Sequence, residues 1–242
     1  MRLVSANDYQ QLSQLAADFI LEKVKQAEKL TLGLATGSTP IGTYQLIIED
    51  YQHNKTSYSH VTTFNLDEYV GIKPTDPNSY HYFMEQKLFK HLPITSEQIH
   101  IPNGLAVDLE EECRLYESRI KAHEGIDLQL LGIGSNGHIG FNEPGTTVNS
   151  RTHIVNLTEE TRRSNARFFE ALSEVPTQAI TMGLGTIMDS KEILLLVSGK
   201  SKSKALFDLL EKKPDPSLPA SILDSHPNVT IIADQDALQY VK

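Results

Sequence analysis

The sequence predicts an α/β protein: a single doubly wound, mainly parallel sheet flanked by helices. Three observations lead there. Short β-rich apolar runs alternate with amphipathic helical segments, glycine-bearing turns follow several of those runs, and no repeat, low-complexity tract or long linker interrupts the alternation. At 242 residues the chain suits one large domain spanning residues 1–242, long enough to bury a substantial core.

The elements follow in order. Tyr9, Leu12, Leu15, Ala16, Phe19, Ile20 and Val24 recur at helical spacing, and Leu30 to Ala35 reads as the strand after that helix. A second helix is expected to open at Thr39-Pro40, with Thr39 as N-cap and Pro40 where its missing N–H costs nothing. Val61 to Leu66 is the next strand. Beyond a polar loop holding Pro74 and Pro77, Ser79 to Leu92 reads as a helix, Gln98 to Ile101 as a short strand, and Asp108 as the cap of a helix reaching Ala122. Ile126 to Leu131 is the central strand. A helix near Glu159 to Phe169, strands at Ala179–Met182, Ile193–Val197 and Val229–Ala233, and a helix near Lys202–Leu210 complete a Rossmann-like alternation.

Composition narrows the function classes. With 39% hydrophobic and 22% charged residues the chain is ordinary for a soluble protein, and no apolar run approaches the roughly 20 residues that span a bilayer. The amino terminus MRLVSANDYQ lacks a signal-peptide core, and the single cysteine, Cys113, precludes an intramolecular disulfide, so a cytoplasmic setting is expected. A net charge of −9 argues against nucleic acid. It also draws attention to two local cationic clusters, Arg162/Arg163/Arg167 and Lys200/Lys202/Lys204, of the kind an anionic metabolite needs.

Three segments carry residues suited to chemistry. Leu131 to Gly145, LGIGSNGHIGFNEPG, sets Asn136, His138 and Glu143 on a glycine-rich turn at the carboxyl end of the central strand, where open α/β sheets bind ligands. Such a turn can equally be a plain tight connection. In LGLATGSTP, residues Gly37, Ser38 and Thr39 would leave backbone N–H groups and hydroxyls at a helix start, a phosphate-binding arrangement, although a simple capped helix reads the same way. It is neither a Walker loop nor a dinucleotide fingerprint. Phe64-Asn65-Leu66-Asp67-Glu68-Tyr69 puts two carboxylates where the chain leaves the sheet; either can cap a turn, and one facing a crevice would become a stronger base by desolvation.

Together LATGSTP, FNLDEY and GIGSNGHIGFNEPG resemble the glucosamine-6-phosphate deaminase family, and SRTH at 150–153, TRRSNARFF at 161–169 and SGKSKSKA at 198–205 extend the likeness over nearly the whole chain. The resemblance implies deamination and isomerisation of glucosamine 6-phosphate to fructose 6-phosphate, without cofactor or metal. It implies that Asp67 moves a proton between C2 and C1, that His138 opens the sugar ring, and that Glu143 is coupled to that histidine. Ser38, Thr39, Arg167 and Lys202 fall on its phosphate-holding positions, beside Gly37. Neither a nucleic-acid nor a membrane partner is implied, and monomer and homo-oligomer both stay open.

One position departs from the pattern, since Asn136 stands where many relatives carry aspartate; asparagine orients a histidine but does not neutralise it. Some relatives also have longer C-termini and basic residues at the segment matching His153 to Val155, associated there with allosteric activation, and that pattern is not carried over to a chain ending at Lys242. Two rivals are weighed. A 6-phosphogluconolactonase shares the fold and the phosphate turn, but typically reads DGHTASLFP where this chain has NGHIGFNEPG. A sugar-phosphate sensor domain should carry a helix-turn-helix, for which a chain opening directly on its first helix leaves no room.

Overall fold

The computed structural model describes residues 1–166, 169 and 171–241. Among them, ten strands and seven α-helices alternate: β1 (Arg2–Ala6), α1 (Tyr9–Gln26), β2 (Leu30–Leu34), α2 (Ile41–Asn54), β3 (Val61–Asn65), β4 (Asp67–Tyr69), α3 (Tyr80–Lys87), β5 (Ile99–His100), α4 (Leu109–Ala122), β6 (Leu128–Gly132), β7 (His153–Asn156), α5 (Glu159–Asn165), β8 (Gln178–Thr181), α6 (Leu184–Met188), β9 (Glu192–Val197), α7 (Ser203–Glu211) and β10 (Val229–Asp234). Seven strands form the central sheet in the order β1-β10-β9-β6-β2-β3-β5, every pair parallel. The doubly wound expectation describes this sheet.

Its two faces are apolar for the reason parallel strands usually are: helices cover both. In β9, Leu194 and Leu196 pack with Leu12, Ala16 and Ile20 of α1 and Ile47 of α2, while Ile193, Leu195 and Val197 pack with Tyr116 of α4 and Leu206 and Leu209 of α7. Asp8, Ser79 and Asp108 cap α1, α3 and α4, each accepting a backbone N–H three residues on. From β2 the chain winds toward β3 and β5, whereas from β6 it winds toward β9 and β10. The neighbours β2 and β6 therefore form the switch point, and the turns leaving their carboxyl ends diverge into a crevice.

Several expectations are corrected. The first element is not α1 but the edge strand β1, paired with β10 in register Leu3↔Ile231; most of its residues face solvent, which hides the pattern. The second helix begins at Ile41 with Pro40 at its N-cap and no side-chain cap bond, so Thr39 stands outside it. The helix expected over Ser79–Leu92 stops at Lys87, where Leu88 leaves helical geometry at φ −146°, and resumes as a 3-10 turn over Phe89–His91.

The largest change concerns a second, three-stranded antiparallel sheet of order β4-β8-β7. Asp67 and Glu68 belong to its strand β4 rather than to a departing turn, and the expected strand at Ala179–Met182 is its centre, β8, rather than part of the main sheet. A three-residue strand has too little sequence to show a period.

Candidate active site

The turns after β2 and β6 open onto a cavity of about 380 Å³, whose lining includes Gly37, Ser38, Thr39, Asp67, Asn136, His138 and Lys202. Two other depressions, about 450 and 560 Å³, lie at the amino ends of the strands, where Lys23 is paired with Glu192 and Lys191 with Asp127. The first is the candidate site, because its polar groups converge and most of the side chains singled out from the sequence meet there.

The turn after β6 is built to hold a histidine over the cavity. Gly134 N–H donates to the His138 carbonyl at 2.8 Å and Gly137, at φ +83°, closes the reversal. A Cβ on Gly134 would stand 2.2 Å from the His138 ring, so the ring occupies the space that glycine leaves. Farther along, Phe141 N–H donates to Thr181 Oγ1 at 3.1 Å and the buried Asn142 amide to the carbonyls of Ile139 and Met182 at 2.9 and 2.8 Å. These bonds fasten the turn to β8 and the residue after it.

His138 is oriented through Asn136. Its Nδ1 lies 2.7 Å from Asn136 Oδ1, while Asn136 Nδ2 donates to Glu143 Oε2 at 2.7 Å. A carboxylate only accepts, so the amide nitrogen must face Glu143 and the amide oxygen His138; Nδ1 then carries a proton, and in the neutral ring Nε2 holds the lone pair. The His138 backbone N–H, 3.2 Å from the same Oδ1, agrees with that orientation. Glu143 lies 3.8 Å from Nδ1, an ion-pair separation bridged by the asparagine. Beyond it, Thr161 donates to Glu143 Oε1 at 2.5 Å.

Asp67 enters from the second sheet, opposite Thr181 of β8 and beside Gly140, whose notional Cβ would lie 3.6 Å from Asp67 Oδ2. Burial, with the neighbouring Glu68 charge adding to it, raises the Asp67 carboxyl to about 8. Such a group is a far stronger base than a solvated aspartate, and it faces the cavity. Glu68 turns to the opposite side of β4 and accepts from the backbone N–H groups of Tyr69, Tyr80 and His81 and pairs with His81 Nδ1, at 2.8 to 3.0 Å.

Two further turns border the cavity. Gly37, at φ +97° with open space where a Cβ would point, turns the chain after β2; Tyr9 of α1 clamps this turn, donating to the Ser38 carbonyl at 3.1 Å and accepting from Gly42 N–H at 2.9 Å. Across the cavity, Gly199 reverses the chain at φ +88°, and the buried Asp234 at the end of β10 accepts from Gly199 N–H and from Ser198 Oγ at 3.1 and 2.5 Å, presenting Ser201 and Lys202 to the cavity.

The cationic clusters do not arrive intact. Arg162 is spent on the carbonyls of Leu172 and Val175, Arg163 on Glu159, and Lys204 on Asp208. Lys202 lines the cavity; Arg167 lies outside the described residues. Sequence reading assigned no role to Thr161, Tyr80, Ser198 or Asp234. Tyr80 and Thr161 line the cavity, and their only signals were a capped helix start each. Among the described residues no helix is long and apolar enough to cross a membrane.

Comparison with known proteins agrees over the full length. Residues 7–232 match the family described as glucosamine-6-phosphate isomerases/6-phosphogluconolactonase. The chain is 56% identical over 237 residues to a glucosamine-6-phosphate deaminase of Shouchella clausii (strain KSM-K16), covering 98% of this chain and 96% of the relative, and 55% identical over 241 residues to one of Geobacillus sp. (strain WCH70), covering 100% and 96%. A solved structure described as a monomeric glucosamine-6-phosphate deaminase superposes with a TM-score of 0.97 at 48% identity over 99% of each chain. A 6-phosphogluconolactonase from Trypanosoma cruzi shares the fold at TM-score 0.81 and 20% identity, covering 100% of this chain and 97% of its own. The chain thus belongs to the glucosamine-6-phosphate isomerase/6-phosphogluconolactonase family.

Proposed function

We propose that this protein is a glucosamine-6-phosphate deaminase, converting glucosamine 6-phosphate and water to fructose 6-phosphate and ammonia. The observation that carries the reading is the pairing, across one cavity, of a buried carboxyl raised to about 8 with a histidine whose tautomer is set by Asn136 and Glu143. Full-length identity near one half with proteins of that name, against one fifth with a lactonase of the same fold, supports the deaminase over the lactonase and over a non-catalytic sensor.

Each residue then has a task in the chemistry. Ser38, Thr39 and the turn at Gly37 hold the phosphate with Lys202 and Arg167, anchoring the end of the sugar that does not react. His138 Nε2 accepts the proton of the anomeric hydroxyl and returns it to the ring oxygen as the C1–O5 bond breaks and the C1 carbonyl forms. Only beside that carbonyl is the C2 hydrogen acidic. Asp67 removes it while a proton passes from the C2 ammonium to the C1 oxygen, giving an enolamine, and Asp67 then delivers its proton to C1. The imine left at C2 takes up water and releases ammonia. Every step is proton transfer, hydration or elimination, so the sequence draws on no redox partner. Residues 1–242 act as one sugar-phosphate domain, and the reaction belongs to cytoplasmic amino-sugar breakdown, including that of N-acetylglucosamine.

The test is to incubate purified protein with glucosamine 6-phosphate and quantify ammonia and fructose 6-phosphate together. Equal amounts of both are expected. Hydrolysis of 6-phosphogluconolactone with no ammonia release would overturn the reading in favour of the lactonase, and binding without turnover in favour of the sensor.

A further inference from the structure

We propose that Thr161 is a positioning residue for ring opening, acting on His138 through Glu143 and Asn136. The inference rests on the deaminase reading and extends it by one residue. Thr161 lies in the first turn of α5, 8% exposed, where its own N–H is taken by the Thr158 hydroxyl at 3.1 Å. Thr158 Oγ1 also lies 3.0 Å from Thr161 Oγ1, and Thr161 Oγ1 lies 2.5 Å from Glu143 Oε1.

The direction of each bond in this chain is forced. Glu143 accepts on both oxygens, so the Thr161 proton must point at Oε1; Thr158 then donates to Thr161, while on the other side Asn136 donates to Oε2 and takes the His138 Nδ1 proton on its oxygen. The carboxylate is the point from which the polarity of the whole chain is set. Glu143 and Asn136 sit on the same turn as His138, so neither gives the carboxylate a reference outside that turn. Thr161 does, because it stands on a helix 18 residues further on. A hydroxyl-to-carboxylate bond belongs to the stronger, charge-assisted class and is directional. It holds the Glu143 carboxylate with Oε2 toward the asparagine, and so keeps the His138 lone pair on Nε2, facing the sugar. The step it serves moves a proton from the anomeric oxygen to the ring oxygen, with no net change in the relay.

Thr161→Val keeps the shape and removes the donor; Thr161→Ser restores it, and Thr161→Ala serves if valine packs badly. In the full-length protein, Thr161→Val should lower kcat by ~10-fold or more with KM within ~2-fold, and Thr161→Ser should recover most of the loss. In a Glu143→Gln background the same replacement should change kcat by less than ~3-fold, because the relay is already broken. With 15N-labelled histidine, the wild-type His138 signals should show a protonated Nδ1 and an unprotonated Nε2, and Thr161→Val should populate the other tautomer. Multiplicative losses in the Glu143→Gln cycle, an unchanged His138 spectrum, or a rise in KM at constant kcat would each overturn the proposal. A wild-type protein that releases no ammonia would overturn the activity instead, while the histidine spectrum would still decide the relay.

Discussion

Asp67 and Glu68 are consecutive residues of β4 that occupy opposite environments: Asp67 faces the cavity with its carboxyl raised to about 8, and Glu68 faces inward, 1% exposed, ringed by three backbone N–H groups and His81 Nδ1. The alternation of a strand separates them. One carboxylate is therefore kept basic by lack of solvation, while the other organises the start of α3 and adds negative potential beside the first.

Replacing Asp67 with asparagine should lower turnover by at least ~10²-fold while leaving sugar-phosphate binding nearly intact. It should also change stability in a defined direction. The native carboxyl is raised from 3.8 to about 8, so its contribution is fully present below pH 3.8 and is lost as pH rises through about 8. Thermal unfolding of both proteins from pH 4 to 9 should show the variant gaining on the wild type up to about pH 8 and then holding a constant lead of a few kcal/mol, since each tenfold change in proton affinity between the folded and unfolded chain is worth ~1.4 kcal/mol. A lead that shrinks with rising pH would show that Asp67 is not desolvated in solution.

For Glu68→Gln the loss of turnover should be milder, but folding should suffer. The amide cannot accept from all the donors that converge on the carboxylate, which leaves at least one buried N–H facing an NH2 group at ~1–3 kcal/mol. Removing the Glu68 charge should also move the Asp67-dependent limb of kcat/KM to lower pH, since that charge adds to the rise. Denaturant melts and a pH–rate profile of one preparation check both expectations.

Lys202→Ala should raise KM by ~10-fold if its charge-assisted bond to a phosphate dianion is worth ~1.5–3 kcal/mol, with kcat little altered. Arg167→Ala is expected to behave alike. Arg163→Ala serves as the contrast, because its guanidinium is turned to Glu159 on the exposed side of α5. Steady-state constants for the three variants, with inorganic phosphate as a competitor, test the assignment; unchanged KM in both of the first two removes it.

Asn136→Asp places a second carboxylate directly on His138 Nδ1, 2.7 Å away in the native geometry, with Glu143 already behind it. The imidazolium gains an opposite charge, so the His138-dependent limb of kcat/KM should move to higher pH. The fold should tolerate the near-isosteric change, although the Asn136 donor bond to Glu143 is replaced by like-charge repulsion. Profiles for both proteins, with His138→Gln to identify the limb, make the comparison, and an unmoved limb would leave Asn136 as a turn-forming residue.

The parts legible in the sequence were those with local causes. Apolar runs covered on both faces gave β2, β3, β6, β9 and β10, apolar periodicity gave α1, the cap Asp108 gave the start of α4, and glycine turns after β2 and β6 marked the crevice. The motif placed Asn136, His138 and Glu143 on one turn and the family resemblance implied that Glu143 is coupled to His138, but that the coupling runs through Asn136 is a matter of the turn's hydrogen bonds. At the site, what sequence missed depended on partners distant along the chain. Strand β4 is three residues long and exists because β8, far along the chain, pairs with it; that pairing, not any local preference, turns Asp67 to the cavity and Glu68 away from it. Among the arginines near position 162, sequence could not say which were committed to Leu172, Val175 and Glu159. Thr161 and Asp234 were invisible for the same reason, since a hydroxyl or carboxylate takes its meaning from partners that only the packed chain brings within about 3 Å. Residue chemistry and the two turns were written in the sequence; burial, and with it the basicity of Asp67, was decided by tertiary structure, because desolvation is a property of surroundings and not of a residue.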